Sequence, residues 1–299
     1  MLPSHVTVVE VGPRDGLQNE AGVVTTEAKT AFVDALSASG LTRIEVTAFV
    51  SPRWVPQMAD AADVCARITR APGVVYSALV PNVAGLERAM AAGVDEVAIV
   101  VAASETFSQR NINQTIAASL DIYRQVCDRA AAQGLPVRGY LSTCFGCPYE
   151  GAVAPDAVAR VAAALDAMGV REVAISDTIG VAHPGQIPQV LDAVTRHVPL
   201  ARLALHLHDT RGMAVANVLA GLQYGVTTFD SAAGGLGGCP FAPGASGNLA
   251  TEELLYLLDG LGVQTGVSLA AVAAASRGLA AAIGRPLPSR YLRATEGRH

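Results

Sequence analysis

The chain reads as a (β/α)8 barrel, the TIM-barrel arrangement of eight parallel strands ringed by helices, with extra C-terminal helices. Three observations carry that expectation. Eight short runs rich in apolar and β-branched residues recur along the sequence, most gaps between them hold alanine-rich stretches of helical periodicity, and glycines stand where those stretches end. The 299 residues would make about two average domains, yet barrels of this kind routinely use ~250 residues as one. A single catalytic unit over 1–285 is therefore expected, with a flexible, arginine-rich tail over 286–299.

Taken in order, the predicted strands are 6–11, 43–49, 74–80, 95–102, 136–142, 171–176, 201–208 and 226–230. Each is a short run rich in apolar and β-branched residues. Helices are predicted at 27–39, 83–92, 115–133, 155–168, 186–197 and 212–224. Several open on Thr, Pro or Asp and close on Gly40, Gly93, Gly134, Gly169 or Gly225, the residue type that most easily takes the left-handed turn at a helix exit. The stretch 251–285 reads as added helices. A doubly wound open sheet is the competing architecture, but there is no early G-x-G-x-x-G and no linker.

Apolar residues make up 51% of the chain and charged residues 16%, the balance of a compact enzyme and not of a disordered chain. With a net charge of −5 and no basic run, nucleic acid and anionic membranes are not expected as partners, and small molecules are. Met1-Leu2-Pro3-Ser4-His5 shows no charged leader ahead of an apolar stretch, and no segment reaches the ~18 apolar residues of a spanning helix, so a cytoplasmic location is expected. The five cysteines, Cys65, Cys127, Cys144, Cys147 and Cys239, are odd in number and scattered, which favours reduced thiols. Cys144-Phe145-Gly146-Cys147 lacks the second pair that a structural zinc site needs. The only lysine, Lys29, falls in the first predicted helix, away from the barrel mouth. Schiff-base and pyridoxal chemistry need a lysine at the reacting centre, so carbon–carbon chemistry here has to lean on a metal.

In such barrels the active site lies at the C-terminal ends of the strands. In Leu203-Ala204-Leu205-His206-Leu207-His208-Asp209 the two histidines share one strand face and the leucines the other. Two imidazoles facing one way suggest a metal, with a hydrogen-bonded histidine pair as the bland alternative. Arg14 and Asp15 follow the first strand, Glu45 lies on the second, Ser104 and Glu105 follow the fourth, and Asp177 closes the sixth. After the eighth comes a loop with six glycines between Gly234 and Asn248, holding Cys239.

These residues sit in long motifs: GPRDGLQNE at 12–20, IEVTAFVSPRWVPQM at 44–58, SDTIG at 176–180, HLHDT at 206–210 and GLGGCPFAPGASGNLATE at 235–252. The set resembles the hydroxymethylglutaryl-CoA lyase family, within the DRE-TIM metallolyases, over about residues 5–285. The resemblance implies that Asp15, His206, His208 and Asn248 hold a divalent cation, Mg2+ or Mn2+. Oxygen ligands suit those hard ions, while the imidazoles would also admit Zn2+ or Co2+. It further implies an acyl-CoA substrate bound with help from Arg14 and Gln18, and a homodimer or other homo-oligomer.

The implied reaction is a retro-Claisen cleavage. A 3-hydroxyacyl-CoA, 3-hydroxy-3-methylglutaryl-CoA in the closest reading, loses its tertiary hydroxyl proton and breaks its C2–C3 bond, giving acetyl-CoA and acetoacetate. Arg14 would face the thioester oxygen where charge develops, Glu45 would help position the site, and Cys239 would work near the product enolate. Asp177 and His206 are both candidates for moving the hydroxyl proton. The chain departs from the family's common pattern at Ala21 (commonly Lys), Ala48 (commonly Ser) and Arg211, which leaves room for a related acyl group. The rivals are a Claisen-condensing synthase of the same superfamily, which usually has Glu at the position of Leu17 and a longer chain, and a non-catalytic barrel.

Overall fold

The computed structural model describes residues 1–238 and 247–296. In chain order the elements are β1 (Thr7–Glu10), α1 (Thr26–Ser37), β2 (Arg43–Ala48), α2 (Ala61–Arg67), β3 (Val75–Leu79), α3 (Val83–Ala91), β4 (Glu96–Ala102), α4 (Glu105–Ile112), α5 (Ile116–Ala131) and β5 (Val137–Ser142). There follow α6 (Pro155–Ala167), β6 (Glu172–Asp177), α7 (Gln186–Val194), β7 (Leu203–Leu207), α8 (Ala214–Tyr224), β8 (Thr228–Ser231), α9 (Thr251–Gly260), α10 (Leu269–Ile283) and α11 (Arg290–Ala294). The strands pair in parallel and in sequence order, and β8 closes on β1, so the sheet has no free edge. This is the (β/α)8 barrel that the alternation of the sequence predicts.

Local chemistry explains where the helices begin and end. The side chains of Thr25, Asn82, Ser104, Thr115 and Ser268 each accept from a backbone N–H in the first turn of α1, α3, α4, α5 and α10. At the other end, Gly225 and Gly284 take the left-handed conformation after α8 and α10. The outer face of the barrel is covered by the buried aliphatic residues of these helices, as in the Val158, Ala162 and Leu165 stripe of α6.

The interior of the barrel is polar where branched aliphatic layers are usual. Arg43, Glu96 and Glu172 stand at the starts of β2, β4 and β6, and the Arg43 guanidinium reaches Glu172 at 2.9 Å and Glu96 at 3.1 Å. Arg138 on β5 bonds Glu172 at 2.7 Å and holds Asp230 on β8 through two N–H groups at 3.0 and 2.7 Å. All five side chains are buried. Such a network tolerates burial because each charge meets an opposite one in hydrogen-bonding geometry, and loss of a single member is costly.

Three differences from the sequence reading have physical reasons. The helix α2 was not expected: its seven residues follow Pro52 and Pro56 and are too few to show a periodicity. Ser104 and Glu105 follow β4 as expected, but the helix α4 that they begin was not expected, and the Ser104 hydroxyl starts it directly. The expected flexible tail over 286–299 is instead packed on the body as far as Glu296. Leu287 and Leu292 are buried, Ser289 Oγ donates to Glu253 at 2.9 Å, Ser289 N–H donates to Gly234, and Arg290 pairs with Asp209. A polar, arginine-rich composition concealed two leucines with a docking site.

Candidate metal centre and active site

The site is assembled from three strand ends. After β1 the chain enters a tight turn, Gly12–Gly16, in which the N–H groups of Arg14, Asp15 and Gly16 all converge on the Val11 carbonyl, at 3.2, 2.8 and 3.2 Å. Pro13 fits there because its missing N–H is not required. This turn aims Arg14 and Asp15 across the barrel mouth. From β7 come His206, inside the strand, and His208, one residue past its end. His208 forms an isolated bridge with Asn248, which puts the Asn248 amide beside Asp15. Gly237 makes that approach possible: its φ is +116°, and a Cβ there would lie 2.7 Å from Asn248 Nδ2.

The ring nitrogens His206 Nε2 and His208 Nε2 lie 3.2 Å apart, and Asp15 Oδ2 is 3.9 Å from His206 Nε2. One ligand atom from each of Asp15, His206 and His208 falls within 4.8 Å of the others. Asn248 Nδ2 donates to Asp15 Oδ2 at 2.8 Å and to Leu236 O at 3.2 Å, and half a turn of the carboxamide presents its oxygen to the same space. The histidine geometry meets the requirements of a cation site. His206 Nδ1 is engaged by Asp230 at 3.1 Å, which keeps the proton on Nδ1 and the lone pair on Nε2. His208 Nδ1 is buried with no hydrogen-bond partner. Two facing nitrogens at that distance have to share a proton or a cation, and ligands on adjacent corners around a Mg2+-sized ion stand roughly 3 Å apart. The residues therefore fit a divalent cation of the kind expected.

The electrostatics point the same way. Burial, then the neighbouring His206, pushes the His208 pKa down to about 4, so the ring is neutral, as a metal ligand must be. Burial works against the Asp15 carboxylate, but Arg14 and the two histidines outweigh it and bring the pKa to about 2. Arg14 is buried, its Nε 2.8 Å from Glu45 Oε2 and its Nη1 2.6 Å from Asp15 Oδ1. Burial disfavours its charge, yet Glu45 and then Asp15 hold it protonated. Glu45 also accepts from Tyr140 Oη at 3.0 Å, and the Arg14 guanidinium lies over the Tyr140 ring at 5.3 Å from its centroid. The guanidinium is fixed on two edges and one face.

Of the residues singled out from sequence, Arg14, Asp15, Gln18, Glu45, His206, His208 and Asn248 come together here. Gln18 lines the cavity and its Nε2 is 3.5 Å from Asp15 Oδ1. Asp177 is not among the residues that line the cavity, and it pairs with Leu207 on β7 where Ser176 pairs with His206. Its two oxygens accept from the N–H groups of Val181 and Ala182 at 2.9 and 3.0 Å, and burial raises its pKa to about 6. Cys239 lies outside the described residues. Lys29 is buried against Gln57 O and Asp60, away from the mouth. Cys144 and Cys147 are separately buried, Cys144 bonded to Leu141 O and Cys147 to Ser104. Arg211 turns its Nη1 to the carbonyls of Ile179 and Gly180.

The sequence reading missed Tyr140, Asp230 and Arg138, which orient Arg14 and His206 from below. The available signal was a polar side chain inside an apolar strand, as in Phe229-Asp230-Ser231, facing the same interior as the histidines. Asn19 was missed as well: its Nδ2 donates to Gly238 O at 3.0 Å and ties the Arg14 turn to the loop after β8. Above the cluster a cavity of about 1120 Å³ opens, with Arg14, His206 and His208 at its floor and residues near Trp54, Asn82 and Arg110 at its outer end.

Comparison with known proteins agrees with this geometry. The HMGL-like family model matches residues 5–278. A mitochondrial hydroxymethylglutaryl-CoA lyase of Rattus norvegicus is 51% identical over 294 residues, 98% of this chain and 90% of that one. The crystal structure of hydroxymethylglutaryl-CoA lyase from Pseudomonas aeruginosa superposes with a TM-score of 0.98 at 50% identity, covering 100% of this chain and 99% of that one. An HMG-CoA lyase from Acinetobacter baumannii, solved in complex with coenzyme A and 3-methylmalate, gives a TM-score of 0.94 at 37% identity over 98% and 96% of the two chains. With the barrel, the strand-end cluster and these matches together, the chain belongs to the HMGL-like family of carbon–carbon lyases.

Proposed function

We propose that this chain cleaves 3-hydroxy-3-methylglutaryl-CoA to acetyl-CoA and acetoacetate with a divalent cation, Mg2+ or Mn2+. The observation that carries this reading is the buried Arg14 guanidinium, held by Glu45 and Tyr140 beside a carboxylate and a facing pair of imidazoles in the lining of a large cavity. Asp15, His206, His208 and Asn248 would hold the cation, which supplies Lewis-acid polarisation of the substrate's hydroxyl and carboxylate oxygens.

The chain's own residues do the rest. Arg14 donates to the thioester oxygen, whose charge grows as the C2–C3 bond breaks and the CoA fragment becomes an enolate. A fixed cation placed there stabilises the transition state more than the ground state. Glu45 and Tyr140 orient Arg14, and Gln18 binds at the cavity wall. For the hydroxyl proton the two candidates differ. His206 has Nδ1 committed to Asp230, and its Nε2 would be a ligand of the cation, which leaves Asp177, whose pKa burial raises to about 6. We assign the hydroxyl proton to Asp177 and protonation of the product enolate to Cys239, each on its place in the family motifs.

A related acyl group is the reading that Ala48 and Arg211 left open. Neither side chain lines the cavity among the described residues, and Arg211 is spent on loop carbonyls. The test is incubation of the metal-loaded protein with 3-hydroxy-3-methylglutaryl-CoA and related 3-hydroxyacyl-CoA esters. Equal amounts of acetyl-CoA and acetoacetate, lost on chelation, are expected; cleavage of another ester alone would overturn the assignment of the acyl group, and cleavage of none would overturn the reading.

A further inference from the structure

The cavity is larger than the cluster chemistry needs. Its volume of about 1120 Å³ exceeds the ~300–1,000 Å³ typical for drug-sized ligands, and a small branched diacid would occupy only the floor. The outer end carries Trp54, the only tryptophan in the chain, 84% exposed. An indole left in water forgoes the burial of roughly 150–250 Å² of mostly apolar surface, and tryptophan is highly buried on average.

Trp54 is also held in place. It lies in a turn where the N–H groups of Trp54 and Val55 both donate to Ser51 O, at 2.9 and 3.1 Å, between Pro52 and Pro56, whose fixed φ stiffens the backbone. A rigid turn presents the ring to solvent at the rim. The lining of the same cavity also includes Asn82, Arg110, Asn113 and Gln114, and Arg53, next to Trp54 in the chain, is exposed. An exposed aromatic face in a cavity that also carries amides and a guanidinium group is the chemistry that recognises a nucleotide: the base stacks and the phosphates meet the cations.

We infer that Trp54 is the stacking surface for the adenine ring of the CoA moiety, with Arg110 on the phosphate side, so that the rim selects full CoA thioesters over truncated ones. This rests on the proposed function above. Stacking a base on an aromatic side chain is worth roughly ten- to hundredfold in affinity.

Because the chain has one tryptophan, its emission reports on this residue alone. The metal-loaded full chain is titrated with CoA and with pantetheine, with fluorescence and calorimetry run in parallel. CoA is expected to change Trp54 emission with the calorimetric midpoint, and pantetheine to bind without doing so. Trp54→Ala should raise KM for the CoA thioester tenfold or more, with the loss falling on KM and not on kcat; Trp54→Phe should recover part of it, and KM for the pantetheine thioester should not follow. CoA that binds calorimetrically without altering the emission, or a Trp54→Ala variant with unchanged KM for the CoA thioester, overturns the inference and leaves the proposed function standing. A rim that instead docks a protein partner would give the same result. No calorimetric binding of CoA at all overturns both.

Discussion

Replacing Asp230 by asparagine tests the support beneath the metal centre. Asp230 Oδ2 accepts from His206 Nδ1 at 3.1 Å, and both of its oxygens are held by Arg138. The histidine's tautomer and the basicity of its Nε2 therefore rest on a buried carboxylate that burial alone would protonate and that Arg138 and His206 keep ionised, its pKa driven below the usual range. An amide of the same shape removes the negative charge, weakens the His206 contact and leaves the Arg138 guanidinium with Glu172 as its remaining carboxylate, at 2.7 Å. Losing such an outer partner of a metal-binding histidine typically costs 10- to 100-fold in metal affinity, about 1.4–2.7 kcal/mol. Calorimetric titration with Mn2+ measures this directly. The control is Glu172→Gln, which removes a charge from the same network without touching His206; it should lower the urea midpoint of unfolding while Mn2+ affinity stays within about threefold. The reasoning fails if Asp230→Asn binds Mn2+ as tightly as the parent, or if Glu172→Gln weakens binding equally.

Other substitutions probe the remaining parts. Arg14→Gln should lower turnover by about 10²–10³-fold, measured as kcat with the metal saturating, because it removes a donor aimed at developing charge; near-normal turnover would take Arg14 out of the mechanism. Cys65, Cys127, Cys144 and Cys147 are all buried, so inactivation by alkylation is expected to track modification of Cys239 in peptide maps, and inactivation that follows any of the other four removes Cys239 from its role. Leu287→Ala should cost about 2–4 kcal/mol in urea unfolding, since Leu287 is buried against Gly234, and a loss below 1 kcal/mol would contradict the docked tail. Glu10 accepts from the N–H groups of Gly12 and Ala233 and from Thr251 Oγ1, and burial, opposed by these bonds, raises its pKa to about 8. The folded state then keeps a proton that the unfolded chain loses above about 4.5, so this contribution is full at acid pH and lost as pH rises through about 8. Glu10→Gln should flatten the decline of the urea midpoint between pH 5 and 8.5, and an unchanged slope would refute the assignment.

How much of this was legible follows from the range of each interaction. The barrel was readable because strand, helix and helix exit are local: a run of Val and Ile, a Thr or Asn cap and a glycine in the left-handed region each announce themselves within a few residues. The two histidines on one strand face were readable for the same reason, since the alternation of a strand is a property of the chain and not of its neighbours. The docked tail and α2 were not legible in this way. The tail looked soluble because arginines dominate it, yet two leucines, the Ser289–Glu253 hydrogen bond and the Arg290–Asp209 ion pair fix it, and α2 was too short to leave a periodic trace.

Asp230 and Arg138 were hidden for a different reason, which also says how the site works. They lie 92 residues apart and meet across the barrel axis, so neither looks unusual until the sheet closes. Closure brings polar residues of different strands together: Arg43, Glu96 and Glu172 at the strand starts, Arg138 bonded to Glu172 and to Asp230, then His206 with Glu45 and Tyr140, and the residues that would hold the cation at the mouth. Each group orients the next. A protein that needed only a stable barrel would have no reason to carry five buried charges where aliphatic side chains would serve at lower cost. Here the column fixes the tautomer of one histidine, and Glu45 with Tyr140 fixes one guanidinium, so the groups that face the substrate are set before it arrives. The sequence shows the top of this column as motifs, while its lower part becomes visible only through the fold that builds it.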